Sequence, residues 1–90
     1  MPRPTWDEIR VRVRSVIARD KGYDPLEIHD NDKLRDDLGY DETGLAALTP
    51  DINDEFFKKK KGLSVKQVQA CLKVIGISAK VDEQPSADFK

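Results

Sequence analysis

Side chains that could perform nucleophilic or acid–base chemistry are few and scattered in this 90-residue sequence. The one histidine, His29, has no second histidine and no cysteine near it, so we expect a surface loop residue and not a metal ligand. The one cysteine, Cys71, lies among Val68, Leu72 and Ile75 at helical spacing. That surrounding is typical of a small buried thiol without a catalytic role.

Adjacent carboxylates are the remaining candidates for acid–base catalysis. They occur as the pairs Asp36–Asp37 and Asp41–Glu42, and no histidine or lysine is spaced as their catalytic partner. The sequence also lacks a glycine-rich phosphate loop, an EF-hand spacing and a Cys/His cluster. We therefore expect no enzyme, no metal site and no cofactor.

Residues 36–42 read Asp-Asp-Leu-Gly-Tyr-Asp-Glu, and this segment resembles the site at which acyl carrier proteins bear their modified serine. The family reads Asp-Leu-Gly-x-Asp-Ser-Leu there, and the serine hydroxyl forms an ester with phosphopantetheine. In this sequence Glu42 takes the place of that serine and is followed by Thr43 and Gly44. Because a carboxylate has no hydroxyl for the phosphodiester, the resemblance implies carrier architecture without carrier chemistry.

The resemblance extends from about Trp6 to Ile75. The register is similar without a gap from Leu38 to Phe56, and residues 54–56 resemble the acidic-acidic-Phe end of the family's second helix. Residues 68–72, Val-Gln-Ala-Cys-Leu, are similar to the Val-Gln-x-x-Ile/Leu pattern of its last helix. The resemblance implies an all-α fold, a small three- to four-helix acyl-carrier-like bundle with a long first loop.

The first helix is predicted from local signals. Thr5 and Glu8 have the spacing of a capping box, and Gly22 suits the position after a helix end. An apolar stripe at helical spacing lies between them. The sequence therefore predicts a helix from Trp6 to about Lys21. The stripe consists of Ile9, Val13, Val16 and Ile17.

The later helices are interrupted by helix-breaking residues. Pro50 follows Thr49 and predicts either a kink near Thr49 or two short helices, Thr43 to Leu48 and Pro50 to Phe57. Ser64 is predicted to cap a last helix that Gly76 ends. We thus expect a helical domain over residues 1–77 and a flexible tail over residues 78–90. The predicted shared core contains Ile9, Val13, Val16, Leu38, Leu48, Ile52, Phe56, Val68, Leu72 and Ile75.

Charge is unevenly distributed along the chain, although the net charge is only −1. Residues 20–55 contain twelve acids against three basic residues, and residues 56–90 contain eight lysines against three acids. The acidic segment favours a protein partner with a basic surface. We expect this partner at the start of the second helix, with Tyr40 and Leu45 as apolar anchors. The predicted partner-binding residues are Asp36, Asp37, Tyr40, Asp41, Glu42, Leu45, Asp51, Asp54 and Glu55.

Two alternatives follow from the same residues. In the first, the chain is a genuine acyl or peptidyl carrier, and Thr43, the only hydroxyl beside Glu42, takes the phosphopantetheine. In the second and weaker one, Lys58–Lys61 and the arginines of the first helix bind nucleic acid. No apolar run approaches the length of a membrane span and the first residues lack a signal-peptide core. We expect a cytoplasmic monomer that binds neither membrane nor nucleic acid.

Overall fold

Four α-helices build the part of the chain that the computed structural model describes, residues 3–90. They are α1 (Trp6–Lys21), α2 (Glu42–Phe56), α3 (Val65–Gln69) and α4 (Val74–Asp82). Short 3-10 turns lie at Pro25–Glu27 and Ser86–Asp88. Within residues 3–90 there is no β-strand, only isolated bridges, so the prediction of a small all-α protein is confirmed. No helix in this range is long and apolar enough to cross a membrane.

The first helix, α1, has the predicted bounds because its ends are set locally. The Thr5 hydroxyl accepts from the Glu8 amide at 3.2 Å, and the Glu8 carboxylate accepts from the Thr5 amide at 3.1 Å. Gly22 ends the helix with φ of 76°, a left-handed conformation that glycine adopts without steric cost. The predicted apolar stripe of α1 is buried and packs against α2 and α4.

The second helix, α2, runs unbroken through Pro50, so of the two predicted alternatives, a kink near Thr49 or two short helices, the second is wrong. An internal proline costs about 3 kcal/mol. The helix also buries four large apolar side chains, and each contributes about 1.5–3 kcal/mol, which together exceed that cost. Pro50 itself is exposed, and the neighbouring Thr49 hydroxyl donates to the Leu45 carbonyl at 2.9 Å. The buried side chains are Leu45, Leu48, Ile52 and Phe56.

The predicted single helix after Ser64 is instead two helices that meet at residues 70–73. Here the backbone pairs with the long loop between α1 and α2. The Leu34 amide donates to the Leu72 carbonyl at 3.0 Å, and the Val74 amide donates to the Asp32 carbonyl at 3.0 Å. Lys73 is extended as a result, and Gly76 lies inside α4 instead of ending a helix.

Residues 78–90 also differ from the prediction of a flexible tail. They begin inside α4, and Val81 and Phe89 are buried. The Phe89 ring lies 4.8 Å from the Phe57 ring, centroid to centroid. The Lys58 amide donates to the Asp88 carbonyl at 2.8 Å, and the Lys90 amide donates to the Phe56 carbonyl at 3.0 Å. One aromatic side chain thus docks a segment whose composition is otherwise polar.

The core therefore contains most of the predicted residues and excludes Leu72, whose residue surface is 76% exposed. Ile75 is only partly buried. Leu72 is turned outward because its carbonyl accepts from Leu34, which takes residue 72 out of the helical register. Several residues that were not predicted complete the core. They are Ala18, Ile28, Leu34, Tyr40, Leu45, Phe57, Leu63, Val74, Ile77, Val81 and Phe89.

The burial of Phe89 and the exposure of Leu72 predict different losses of stability when each side chain is truncated to alanine. Phe89→Ala should lower the free energy of unfolding by about 3 kcal/mol, since a buried aromatic side chain is removed. Leu72→Ala should change it by less than about 0.5 kcal/mol, as expected for an exposed position. Urea denaturation of both variants and the wild type measures these values. A larger loss for Leu72→Ala than for Phe89→Ala would contradict this packing.

Candidate functional site

The candidate site is the amino-terminal end of α2, where Glu42 is the first helical residue. Asp41 caps the helix, and its carboxylate accepts from the Gly44 amide at 2.7 Å. Gly39, with φ of 73°, turns the chain toward this cap. A carboxylate at the first turn also interacts favourably with the positive end of the helix dipole. The site residue predicted from the family pattern therefore lies at the helix start, as the register requires.

The loop before α2 is held by its own hydrogen bonds. The Asp37 carboxylate accepts from the Lys33 amide at 2.8 Å, and the Gly39 amide donates to the Arg35 carbonyl at 3.0 Å. The Tyr40 amide donates to the Leu34 carbonyl at 2.9 Å. These contacts give Arg35 and Glu42 fixed positions relative to one another.

Glu42, Arg35 and Gln69 form a polar cluster, here called the Glu42 cluster. The Arg35 guanidinium donates to the Glu42 carboxylate and, at 3.1 Å, to the Gln69 carbonyl. The Gln69 side-chain amide donates to the Glu42 carbonyl at 3.0 Å. The cluster thus links the loop, α2 and α3. Since the Glu42 side chain is 65% exposed, the ion pair itself contributes only about 0.2–1 kcal/mol.

Thr43, the alternative attachment site, is exposed in the first turn of α2. Successive residues of an α-helix are rotated by about 100° around its axis. A group esterified to Thr43 would therefore leave the helix in a different direction from a group on residue 42. The two positions are neighbours in sequence and are not equivalent in space.

Tyr40 and Leu45, predicted as apolar anchors for a partner, are both buried. The Tyr40 hydroxyl donates to the Asp20 carboxylate at 2.7 Å, which fastens the loop to α1. Burial and then this carboxylate raise the pKa of the Tyr40 phenol well above its ordinary value. Both residues serve the fold, so neither is available on the surface of this conformation. The prediction of these two anchors is corrected accordingly.

The seven predicted acidic residues divide by their contacts. Glu55 pairs with Arg12 at 2.8 Å and with Arg19 at 3.7 Å, and Glu42 belongs to the Glu42 cluster. Asp37 and Asp41 accept from backbone amides. The other three are exposed and, within residues 3–90, form no ion pair. They are Asp36, Asp51 and Asp54.

His29 lies on the surface and Cys71 is buried, as predicted for these two residues. The His29 side chain is exposed and lies 3.6 Å from the Asp32 carboxylate. The Cys71 thiol is buried, donates to the Gln67 carbonyl at 3.2 Å, and has its pKa raised by burial. A raised pKa disfavours the reactive thiolate. Among residues 3–90, no three or more His, Cys, Asp or Glu side chains are grouped as metal ligands.

Arg35 and Gln69 are the site residues that sequence reasoning missed. They are 34 positions apart, and no local pattern connects them. Gln69 does fall within the segment that is similar to the family's last helix. That similarity gave no indication that its side chain contacts Glu42.

Comparison with known proteins gives no assignment. No protein-family model matches this chain, and no curated protein matches it.

Proposed function

We propose that this protein is an acyl-carrier-like module that is not phosphopantetheinylated and that acts by binding another protein through an acidic face of α2. The motif of residues 36–42, the gapless register to Phe56 and the four-helix arrangement with a long first loop support this proposal. The proposed fold identity is that of a divergent acyl-carrier-like bundle.

The observation that carries the proposal is the state of residue 42. In carriers of this type the helix starts with a serine that must be free to attack the coenzyme. Here the first residue of α2 is Glu42, whose carboxylate accepts from Arg35. It has no hydroxyl to form the ester, and its ion pair with Arg35 joins the loop to α2. The residue at the carrier position thus has a structural role.

The proposed acidic face consists of Asp36, Asp37, Asp41, Asp51 and Asp54. Asp51 and Asp54 are three residues apart on α2 and share one side of the helix. Between Thr43 and Asp51, Ala47 and Pro50 are also exposed. Glu55 is left out of this face because Arg12 and Arg19 already neutralise it. A partner with lysines and arginines on its docking surface fits this face.

The proposal predicts that phosphopantetheine is not attached to the wild-type protein. After incubation with coenzyme A and a promiscuous phosphopantetheinyl transferase, the wild-type protein should keep its unmodified mass, since residue 42 supplies no hydroxyl. Intact-mass spectrometry would detect the roughly 340 Da phosphopantetheine adduct. A genuine carrier protein treated in parallel is the positive control. A wild-type adduct would refute the noncarrier proposal, and its mapping to Thr43 would establish the alternative.

Glu42→Ser supplies the missing nucleophile and serves as the matched variant in the same assay. Thr43 and Gly44 still follow in place of the family's Leu-Asp, so we expect at most partial conversion. Thr43→Val is the control for the alternative hydroxyl, because it removes that oxygen with little change of volume. An adduct on Glu42→Ser that persists in Glu42→Ser/Thr43→Val would place the modification at residue 42.

The proposal also predicts that partner binding depends on the acidic face. A partner captured from a lysate of the source organism on immobilised protein should be lost with Asp51→Lys and kept with Glu83→Lys. Both substitutions change the charge by +2, and Glu83, which pairs with Lys80 at 3.4 Å, caps α4, a helix that contributes no residue to the proposed face. Capture should also fall with added salt, since exposed charges are screened beyond a Debye length of about 8 Å. Quantitative mass spectrometry measures both effects. Equal losses for the two variants would remove the acidic face from consideration.

A further inference from the structure

The arginines of this protein and the lysines at the carboxyl end of α2 have different surroundings. Each of the six arginines pairs with an acid of the same chain. The four arginines of α1, which were candidates for nucleic-acid contacts, form ion pairs with three acids, Asp7, Asp30 and Glu55. Five lysines at the carboxyl end of α2 have no acid within ion-pair distance among residues 3–90. We call them the lysine cluster, and they are Lys58, Lys59, Lys60, Lys61 and Lys90.

The fold assembles the lysine cluster from two distant segments. Lys58–Lys61 form a turn closed by the hydrogen bond from the Lys61 amide to the Lys58 carbonyl at 3.0 Å. The bridge between Phe57 and Phe89 brings Lys90 beside this turn. Together the five lysines line a surface recess of about 290 Å³, with Asn53, Asp54 and Phe57 as its other walls. The sequence shows only the four consecutive lysines, and the recess is a product of the fold.

The segment that follows the turn is anchored to α2. The Asn53 side chain donates to the Leu63 carbonyl at 2.9 Å and accepts from the Leu63 amide at 2.8 Å. Gly62 has φ of 117°, and a Cβ there would lie 2.2 Å from the Asn53 amide oxygen. Only glycine fits this approach. The lysines thus project from a backbone whose course is fixed.

Lys60 adopts a left-handed backbone conformation with φ of 67°. In a turn of this kind the third residue favours glycine or asparagine, because a larger side chain strains the backbone. Residues retained in sparsely populated conformations concentrate at functional sites, so an observed outlier motivates a functional hypothesis. A lysine here places one more ammonium group at the recess, although its backbone conformation is strained.

The chemistry of the recess favours phosphate groups. Lysine ammonium groups are compact point charges with three donors and bind phosphate without the planar geometry that arginine provides. The aromatic rings nearby, Phe57 and Phe89, are buried, so the recess offers no surface for stacking a base. A protein partner would also find no large exposed apolar side chain there to serve as a central anchor.

We propose that the lysine cluster is a binding site for a short chain of consecutive phosphates, as a free polyphosphate or a nucleoside polyphosphate presents. The contending structural explanation is that the lysines only stabilise the negative end of the α2 dipole. The two explanations differ at Lys60. Replacing it with asparagine relieves the backbone strain and removes one charge. The dipole explanation therefore predicts no loss of phosphate affinity beyond the loss that removing any surface charge causes.

Titration of the full-length, ¹⁵N-labelled protein with sodium tripolyphosphate tests the proposal. We expect saturable one-to-one binding with the largest amide shifts at Lys58–Gly62 and Lys90. Lys60→Asn should weaken the affinity by about three- to tenfold, as expected for one lost charge-assisted contact. Its Tm should be unchanged or raised. Lys66→Asn removes an equal charge from α3, outside the recess, and should weaken the affinity by less than about twofold.

Three results would overturn the proposal. The first is an equal loss of affinity for Lys60→Asn and Lys66→Asn, which indicates attraction by net charge alone. The second is binding of citrate as tight as that of tripolyphosphate, which removes the preference for phosphate. The third is binding of a duplex oligonucleotide to the same amides in the absence of tripolyphosphate binding, which assigns the surface to nucleic acid. If Lys60→Asn fails to fold, Lys59→Gln takes its place with the same expectation.

Discussion

Hydrogen bonds between two backbone segments, residues 30–34 and residues 72–75, fasten the long loop to the junction of α3 and α4. The Leu34 amide donates to Leu72, and the Val74 and Ile75 amides donate to Asp32 and Asp30. A buried loop carries polar backbone groups that must find partners. The break between α3 and α4 provides them. The same pairing buries Leu34, exposes Leu72 and places Arg35 beside Glu42 and Gln69.

The distribution of charge follows from the same arrangement. Intramolecular pairs use the arginines and several of the acids, including Asp30, which accepts from both Arg10 and Arg14. Among the charges that form no ion pair within residues 3–90, Asp51 and Asp54 lie on the exposed side of α2, and Lys58–Lys61 lie beyond its carboxyl end. Lysines at that end also favour the helix dipole. The proposed protein-binding face and the proposed phosphate site are thus adjacent surfaces of opposite charge, and Asp54 lies at their border.

The sequence predicts the elements whose signals are local. The capping box at Thr5, the apolar stripe of α1 and Gly22 lie within one segment, so the bounds Trp6–Lys21 follow directly. The core side of α2 also follows from its periodicity. Its continuity through Pro50 does not, because the burial that offsets the cost of proline depends on helices elsewhere in the chain.

The remaining errors come from contacts between distant residues. The division of the last predicted helix requires the partner carbonyls of Asp30 and Asp32, which lie some forty positions earlier. The docking of Phe89 on Phe57 likewise has no local signal. At the candidate site the acids were identified by composition, whereas the burial of Tyr40 and Leu45 and the pairing of Glu42 with Arg35 depend on tertiary structure.

Hydrogen exchange of the Leu34 amide is the most direct test of this account, because that amide donates across the loop to Leu72. The account predicts exchange at least about a hundredfold slower than in an unstructured peptide, which corresponds to an opening free energy of about 3 kcal/mol. The Val13 amide, in the interior of α1, serves as the reference for the helices. Exchange of Leu34 at the unstructured rate, with Val13 still protected, would show that the helices form without the docked loop and would contradict the account.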